Sequence, residues 1–387
     1  MSRSRIPGLL LILALAGCEP FEPWFDYAAD DPNLQFIGRL DHTTDEGPTY
    51  PHPGTTVRFR CNCTGVDVAF EDKGEGGNEH TNFVSIVVDG VEEAKVELKP
   101  KGGALMYKGA RNLARGEHIV EVVKATESYA GNIRFVGLSL QGIILDPPPR
   151  QEKRIEFIGD SITCGYGNEV RIFAPNNTEP NTGYHTKNEN ITKAYGAIIG
   201  RRFNAETVQT CISGTGVYRN LNGKTVAENE DTFPVLYDRL YPNDPKSKWD
   251  PQDFVPHLVV INLGNNDFNV LDEARMPTPP DPEGFKQAYK DFVLKLRRYY
   301  PEATIVCSIG PLMNDNFPKG GKHWTRIQDY VSTVVKAIND GGDSNVYYFA
   351  YKPITGDPYG EDWHPTAEGH QVMADAMSAF LQKIGAL

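Results

Sequence analysis

Residues 154–167 read Arg-Ile-Glu-Phe-Ile-Gly-Asp-Ser-Ile-Thr-Cys-Gly-Tyr-Gly, and the rest of the chain is understood outward from them. Ile155, Phe157 and Ile158 supply the apolar core of a short strand. Gly159, without a Cβ, allows a sharp turn, and Gly165 and Gly167 keep the surroundings open. Ser161 then stands just past the carboxyl end of a strand. Open α/β sheets gather their ligands at that edge.

Downstream, the text alternates between strands and helices. Tyr195 to Phe203 reads as a helix, and Glu206 to Ile212 as a strand that ends in Ser213-Gly214-Thr215-Gly216. Leu258 to Leu263 is an apolar strand that runs into Gly264-Asn265-Asn266-Asp267. Phe285, Tyr289, Phe292 and Leu296 recur at helical spacing. A strand at Thr304–Ile309, an amphipathic helix from Trp324 to Ile338, a strand at Val346–Ala350 and a last helix through Met373 and Leu381 follow. Alternation of this kind predicts a parallel sheet with helices on both faces. The polar motifs all fall just after strands, on one edge.

Upstream the period is two. Thr56–Cys61, Val66–Phe70, Phe83–Val88, Gly116–Lys124 and Ile133–Leu138 alternate or run apolar as strands do, and Asp89-Gly90 is a hairpin signal. Short strands with almost no helical period predict a β-sandwich of jelly-roll type over residues 34–145. It holds no catalytic constellation. His42, His52, His80 and His118 are scattered and read as surface or packing residues. Asp146-Pro147-Pro148-Pro149-Arg150 reads as a semi-rigid linker, residues 146–152, which keeps two domains at a defined distance.

The first residues are basic, Gly8–Ala16 is apolar, and Leu15-Ala16-Gly17-Cys18 closes the run. This is a secretory signal over residues 1–17. Its ending resembles a bacterial lipobox with Cys18 as the acylated residue, followed by a tether over residues 18–33. No later run is long and apolar enough to span a bilayer as a helix. The formal charge is −12, more negative still once Arg3 and Arg5 leave with the signal. An acidic chain outside the cytoplasm is a poor partner for nucleic acid, whereas a neutral polysaccharide suffers no repulsion. Five other cysteines make one disulfide plausible. Cys164, after the serine turn, and Cys211, at the end of the neighbouring strand, are the expected pair. Cys61 and Cys63 read as buried thiols.

Gly159-Asp160-Ser161, Gly214, Gly264-Asn265-Asn266-Asp267 and Asp362-Trp363-His364-Pro365 resemble, in order, the four blocks of the SGNH (GDSL-type) hydrolases. The N-terminal β-sandwich and the extended first block are similar to those of carbohydrate esterase family 2, over nearly the whole chain after the signal. The resemblance implies a three-layer SGNH fold over residues 153–387 and removal of O-acetyl groups from polysaccharides such as xylan or glucomannan. It implies Ser161 as nucleophile and His364 as base, since a serine hydroxyl must lose its proton to an adjacent base. It implies the N–H groups of Ser161 and Gly214 and the amide of Asn266 as oxyanion donors, with no metal and no cofactor. Asp362 is taken as the carboxylate that orients His364. Glu361, three before the histidine where many relatives carry Asp, and a backbone carbonyl are the alternatives. Asp160 and Asp267 are expected to brace loops. His257, His323 and His370 are expected outside the chemistry, His370 on a helix surface. Tyr166, Tyr218, Trp324 and Trp363 are candidates to line the cleft and stack on sugar rings, or core residues; one by one they read as core. A surface glycan-binding protein and a lipase or thioesterase of the same superfamily are the competing readings.

Overall fold

The computed structural model describes residues 22–43, 46–173, 182–228, 230–354 and 356–387. Cys18 and the signal lie outside them. The N-terminal domain is all antiparallel: β1 (Trp24–Ala28), β2 (Gln35–Ile37), β3 (Thr49–Tyr50), β4 (Thr56–Asp72), β5 (Phe83–Val88), β6 (Val91–Glu97), β7 (Ala104–Arg111), β8 (Glu117–Lys124) and β9 (Ile133–Leu145). Thr56–Cys61 and Val66–Phe70 are not two strands but parts of β4. Its first half pairs with β8, its second with β7, and β9 runs along the opposite edge. Bulges at Cys63/Gly65 and Ala69/Phe70 bend the ladder so that one sheet curls around a single apolar core. Tyr50, Phe70 and Phe135 meet at its centre.

Two further expectations for this domain are corrected. The tether of residues 18–33 contains β1, which pairs with β9 over five residues. Phe25 and Tyr27 there stand two apart, a short strand signal that the neighbouring prolines and acids obscure. Cys61 and Cys63 form a disulfide in place of two thiols.

The C-terminal domain carries β10 (Lys153–Gly159), β11 (Ala205–Cys211) and β12 (Leu258–Asn262). A two-residue ladder, β13 (Val270–Leu271) with β14 (Pro277–Thr278), precedes β15 (Thr304–Ile309) and β16 (Val346–Ala350). The main sheet is parallel in the order β11-β10-β12-β15-β16. Helices α1 (Ser161–Cys164), α2 (Tyr195–Phe203), α3 (Phe233–Leu236), α4 (Pro282–Tyr299), α5 (His323–Asp340) and α6 (Ala367–Ile384) surround it. Alternate residues of β12 face opposite ways. Val259 and Ile261 pack with Phe285 and Phe292 of α4 and Ile327 of α5. Leu258 and Val260 pack with Ile199 of α2 and Met377 of α6. The chain reverses its direction of travel across the sheet at β10, so a crevice opens beyond the carboxyl ends of β10, β11 and β12.

The two domains are not held apart by a spacer. The linker lies along the β domain, with Pro148 O accepting from Gln35 Nε2 and Pro149 O from Arg58. Arg39, fully buried, reaches from the β domain to Glu156 of β10 at 3.0 Å and to the carbonyl of Tyr237. Glu156 also accepts from Thr210 and Tyr237 hydroxyls, which satisfies the carboxylate side of the buried pair. Beside it, Val87 and Val123 pack on Ile191, Ala194 and the Cys164–Cys211 disulfide, the pairing expected from sequence.

Candidate active site

Gly159 is the last residue of β10. A Cβ there would sit 1.9 Å from Thr163 Oγ1, so its role is close approach within the turn; its φ is not left-handed. Asp160 caps α1 by accepting from Ile162 N at 3.1 Å, and Gly165 ends it in the left-handed region at φ 84°. Four residues therefore present Ser161 at the crevice from a turn closed at both ends. Asp160 is buried, which pushes its carboxyl up to about 7, and its second oxygen faces the side-chain amides of Asn265 and Asn266 at 3.4 Å. Asp267 accepts from the N–H groups of Val217, Tyr218 and Arg219, and so ties the loop after β11 to the loop after β12. Both aspartates brace loops, as expected.

Ser161 Oγ and His364 Nε2 are 2.7 Å apart. Both residues are almost wholly buried. The other ring nitrogen faces two backbone carbonyls, Glu361 O at 2.9 Å and Asp362 O at 3.1 Å. Nδ1 is therefore the protonated nitrogen and Nε2 is free to accept. Burial, the largest influence, pulls the imidazole down to about 4, so the ring is neutral at neutral pH.

Asp362 does not do what the spacing suggested. Its carboxylate accepts from Tyr166 Oη at 2.5 Å and from Gly183 N at 3.1 Å. Glu361 does not replace it. Its carboxylate is taken by His185, through N at 3.0 Å and Nδ1 at 2.7 Å, and by Asn188 Nδ2 at 2.6 Å. The physical reason is the backbone. Asp362 and Trp363 are both left-handed, at φ 47° and 70°. That turn folds the carbonyls of 361 and 362 back onto the imidazole while both carboxylates point away. A left-handed tryptophan is a genuine outlier and costs of order 1–3 kcal/mol.

Gly214 follows β11 at φ 74°, with open space where a Cβ would be. Asn266 follows β12, and its Nδ2 donates to Thr215 O at 2.9 Å. The N–H groups of Ser161 and Gly214 donate to no backbone carbonyl among the described residues. The sheet thus delivers Ser161, Gly214 and Asn266 from three adjacent strand ends, with His364 arriving ahead of α6. Thr366 caps that helix by accepting from Gly369 N.

Some residues of the site have no role assigned from the motifs. Tyr166 stacks on the His364 ring at 4.2 Å between centroids, and Tyr184 stacks on Tyr166 at 4.8 Å. Tyr166, read as core, belongs to the site; its place two residues beyond the cysteine of the serine turn is the available signal. His370 is buried, not on a surface. Its Nδ1 accepts from Tyr195 N, and burial pulls it down to about 3. The polar, Asn-rich stretch from Asn176 to Asn190 has the composition of a surface loop, and up to residue 181 it lies outside the described residues. Its second part is only partly at the surface, with Thr186, Glu189 and Asn190 buried in the domain interface. Among the described residues, Glu127, Cys164 and Glu189 bring possible ligand atoms within 4.8 Å of one another. The Cys164 sulfur is bonded to Cys211, so this trio lacks a thiolate.

Known proteins share this architecture. The family description "Carbohydrate esterase 2 N-terminal" matches residues 36–149, and "GDSL-like Lipase/Acylhydrolase" matches residues 155–377. A cellulase/esterase, CelE, of Acetivibrio thermocellus is 33% identical over 361 residues, 92% of this chain. The chain spans only 40% of that protein. An acetylxylan esterase / glucomannan deacetylase of Cellvibrio japonicus is 26% identical, covering 92% of this chain and 90% of its own length. A family two carbohydrate esterase from Clostridium thermocellum, solved in complex with cellohexaose, is 32% identical. It superposes with a TM-score of 0.78 over 92% of this chain and 100% of its own.

Proposed function

This chain belongs to family 2 of the carbohydrate esterases and to the GDSL-like lipases/acylhydrolases, and from that premise we propose that it removes O-acetyl groups from acetylated polysaccharides of the xylan or glucomannan type. The observation that carries the reading is the 2.7 Å contact of Ser161 Oγ with a neutral, carbonyl-held His364. The relatives named for acetylxylan and glucomannan supply the substrate class.

In the proposed reaction His364 Nε2 takes the Ser161 proton as Oγ attacks the acetyl carbonyl. The oxyanion of the tetrahedral intermediate is met by the N–H groups of Ser161 and Gly214 and by the Asn266 amide. Collapse breaks the bond to the sugar oxygen, which receives the proton from His364. Water, deprotonated by the same nitrogen, then attacks acetyl-Ser161. Acetate leaves and Ser161 regains its proton. Asp362 supports Tyr166 and Gly183 in this scheme and does not touch the imidazole.

Acetate release from acetylated xylan and acetylated glucomannan, run beside p-nitrophenyl acetate and octanoate, tests the reading. Release from polysaccharide with little octanoate turnover is the expected result. Octanoate preference without polysaccharide turnover moves the chain to the lipase or thioesterase branch. Binding of glycan without turnover of any ester makes it a glycan-binding protein.

The same reading places the enzyme outside the cytoplasm on an acyl anchor at Cys18. Among the described residues no helix is long and apolar enough to cross a membrane. Metabolic labelling with a tagged fatty acid should mark the wild type and not Cys18→Ala. Equal labelling of both removes the anchor.

A further inference from the structure

The oxyanion side of the crevice is held from the other domain. Glu127 lies just after β8 in the β domain, is 1% exposed, and points across the domain interface. One of its carboxylate oxygens accepts from Ser213 N at 2.9 Å, and the other is hydrogen-bonded to Ser213 Oγ. Ser213 is the residue before Gly214. Glu127 is itself fixed on the opposite side. Its N–H is shared between the two oxygens of the buried Glu189 carboxylate at 3.2 Å, and its carbonyl accepts from Lys124 Nζ at 2.9 Å. Glu189 in turn holds the Tyr184 hydroxyl, and the Tyr184 ring stacks toward Tyr166 and His364.

A buried carboxylate is costly unless paired and fully hydrogen-bonded. Here the cost falls on a domain with no catalytic constellation of its own, and two bonds go to one loop residue. Gly214 cannot fix its own position. Its φ is left-handed, its surroundings are open, and it has no side chain to anchor. The loop is also tied at the carbonyl of Gly214 and beyond it, but those bonds leave the Ser213 side to Glu127. Leu221 N donates to Gly214 O, and Gly216 N to Asn220 Oδ1.

We infer that Glu127 is a positioning residue for the esterase reaction: through Ser213 it fixes the direction of the Gly214 N–H toward the oxyanion, which makes the β domain part of the catalytic machinery. The inference rests on the oxyanion role proposed for Gly214. A donor must point at where charge develops, and displacement of about 1 Å from the productive geometry costs on the order of a hundredfold.

The test is steady-state kinetics of wild type, Glu127→Ala, Glu127→Gln and Ser213→Ala on p-nitrophenyl acetate, with melting temperatures recorded for each. Glu127→Ala is expected to lower kcat by about 10- to 100-fold with KM within twofold. Glu127→Gln keeps one oxygen that can accept from Ser213 N and should recover part of that loss. Ser213→Ala removes only the hydroxyl bond and should lose less than Glu127→Ala. If Glu127→Ala does not fold, Glu127→Met, which keeps the bulk and removes both acceptor oxygens, decides: a folded methionine variant with wild-type kcat overturns the inference. A folded Glu127→Ala within threefold of wild type overturns it as well. So does a loss that lies wholly in KM. Failure of the esterase reading is distinguishable, because then the wild type itself turns over no ester.

Discussion

The segment Gly159–Gly165 holds its nucleophile with side chains and caps, whereas Gly360–Pro365 holds its base with bare backbone. At Ser161 each device has a residue type attached: Asp160 for the cap, Gly165 for the left-handed stop, Gly159 for the close approach to Thr163. At His364 the partners of Nδ1 are two carbonyls, which every residue type carries. The acidic residues beside them, Glu361 and Asp362, are employed elsewhere, on His185 and on Tyr166. An acid two or three positions before a histidine thus has the spelling of a triad without its geometry. What decides is the pair of left-handed residues between them.

Four measurements bear on this contrast. The largest effect belongs to the nucleophile. Ser161→Ala should lower kcat on p-nitrophenyl acetate by at least about 10^4-fold, with the fold intact by circular dichroism. Activity near wild type would remove Ser161 from the reaction. Next, Asn266→Ala should cost about 10^2- to 10^3-fold in kcat, the usual loss for one oxyanion donor. A loss confined to KM would make Asn266 a substrate contact.

The pH profile distinguishes the two ways of holding a histidine. A carboxylate at Nδ1 favours the charged ring and raises its pKa, whereas two carbonyls in a buried site do so far less. Burial sets His364 to about 4, below the ordinary value of 6.5. The neutral ring is the base, so activity is lost as pH falls through that value. The acid limb of kcat/KM should therefore lie well below 6.5, with most activity kept at pH 5.5. A limb at or above 6.5 would indicate a charged partner.

Much of the fold and the site is legible in the amino-acid sequence, and for a reason. Strand and helix text such as Thr304–Ile309 or Tyr195–Phe203 carries its period in apolar residues, and the observed elements have those bounds. Ser161, Gly214 and Asn266 follow three strands that the sheet order brings side by side, so their convergence follows from topology. What could not be read depends on contacts distant in sequence. Glu127 meets Ser213 across 86 residues and Glu189 across 62, and nothing in Thr126-Glu127-Ser128 announces either. Arg39 looks like a surface charge in text and is fully buried against Glu156. His370 sits on an amphipathic helix, where an imidazole reads as polar and outward although here it is buried neutral.

The smallest expected effect is also the most direct test of a histidine held by backbone. Asp362→Asn keeps an oxygen for Gly183 N and suits a left-handed φ, so the turn should survive. Its kcat on p-nitrophenyl acetate should stay within about tenfold of wild type. A fall approaching 10^4-fold, the loss seen when a true triad aspartate becomes asparagine, would mean that the carboxylate orients His364 during turnover and that the carbonyls alone do not hold it.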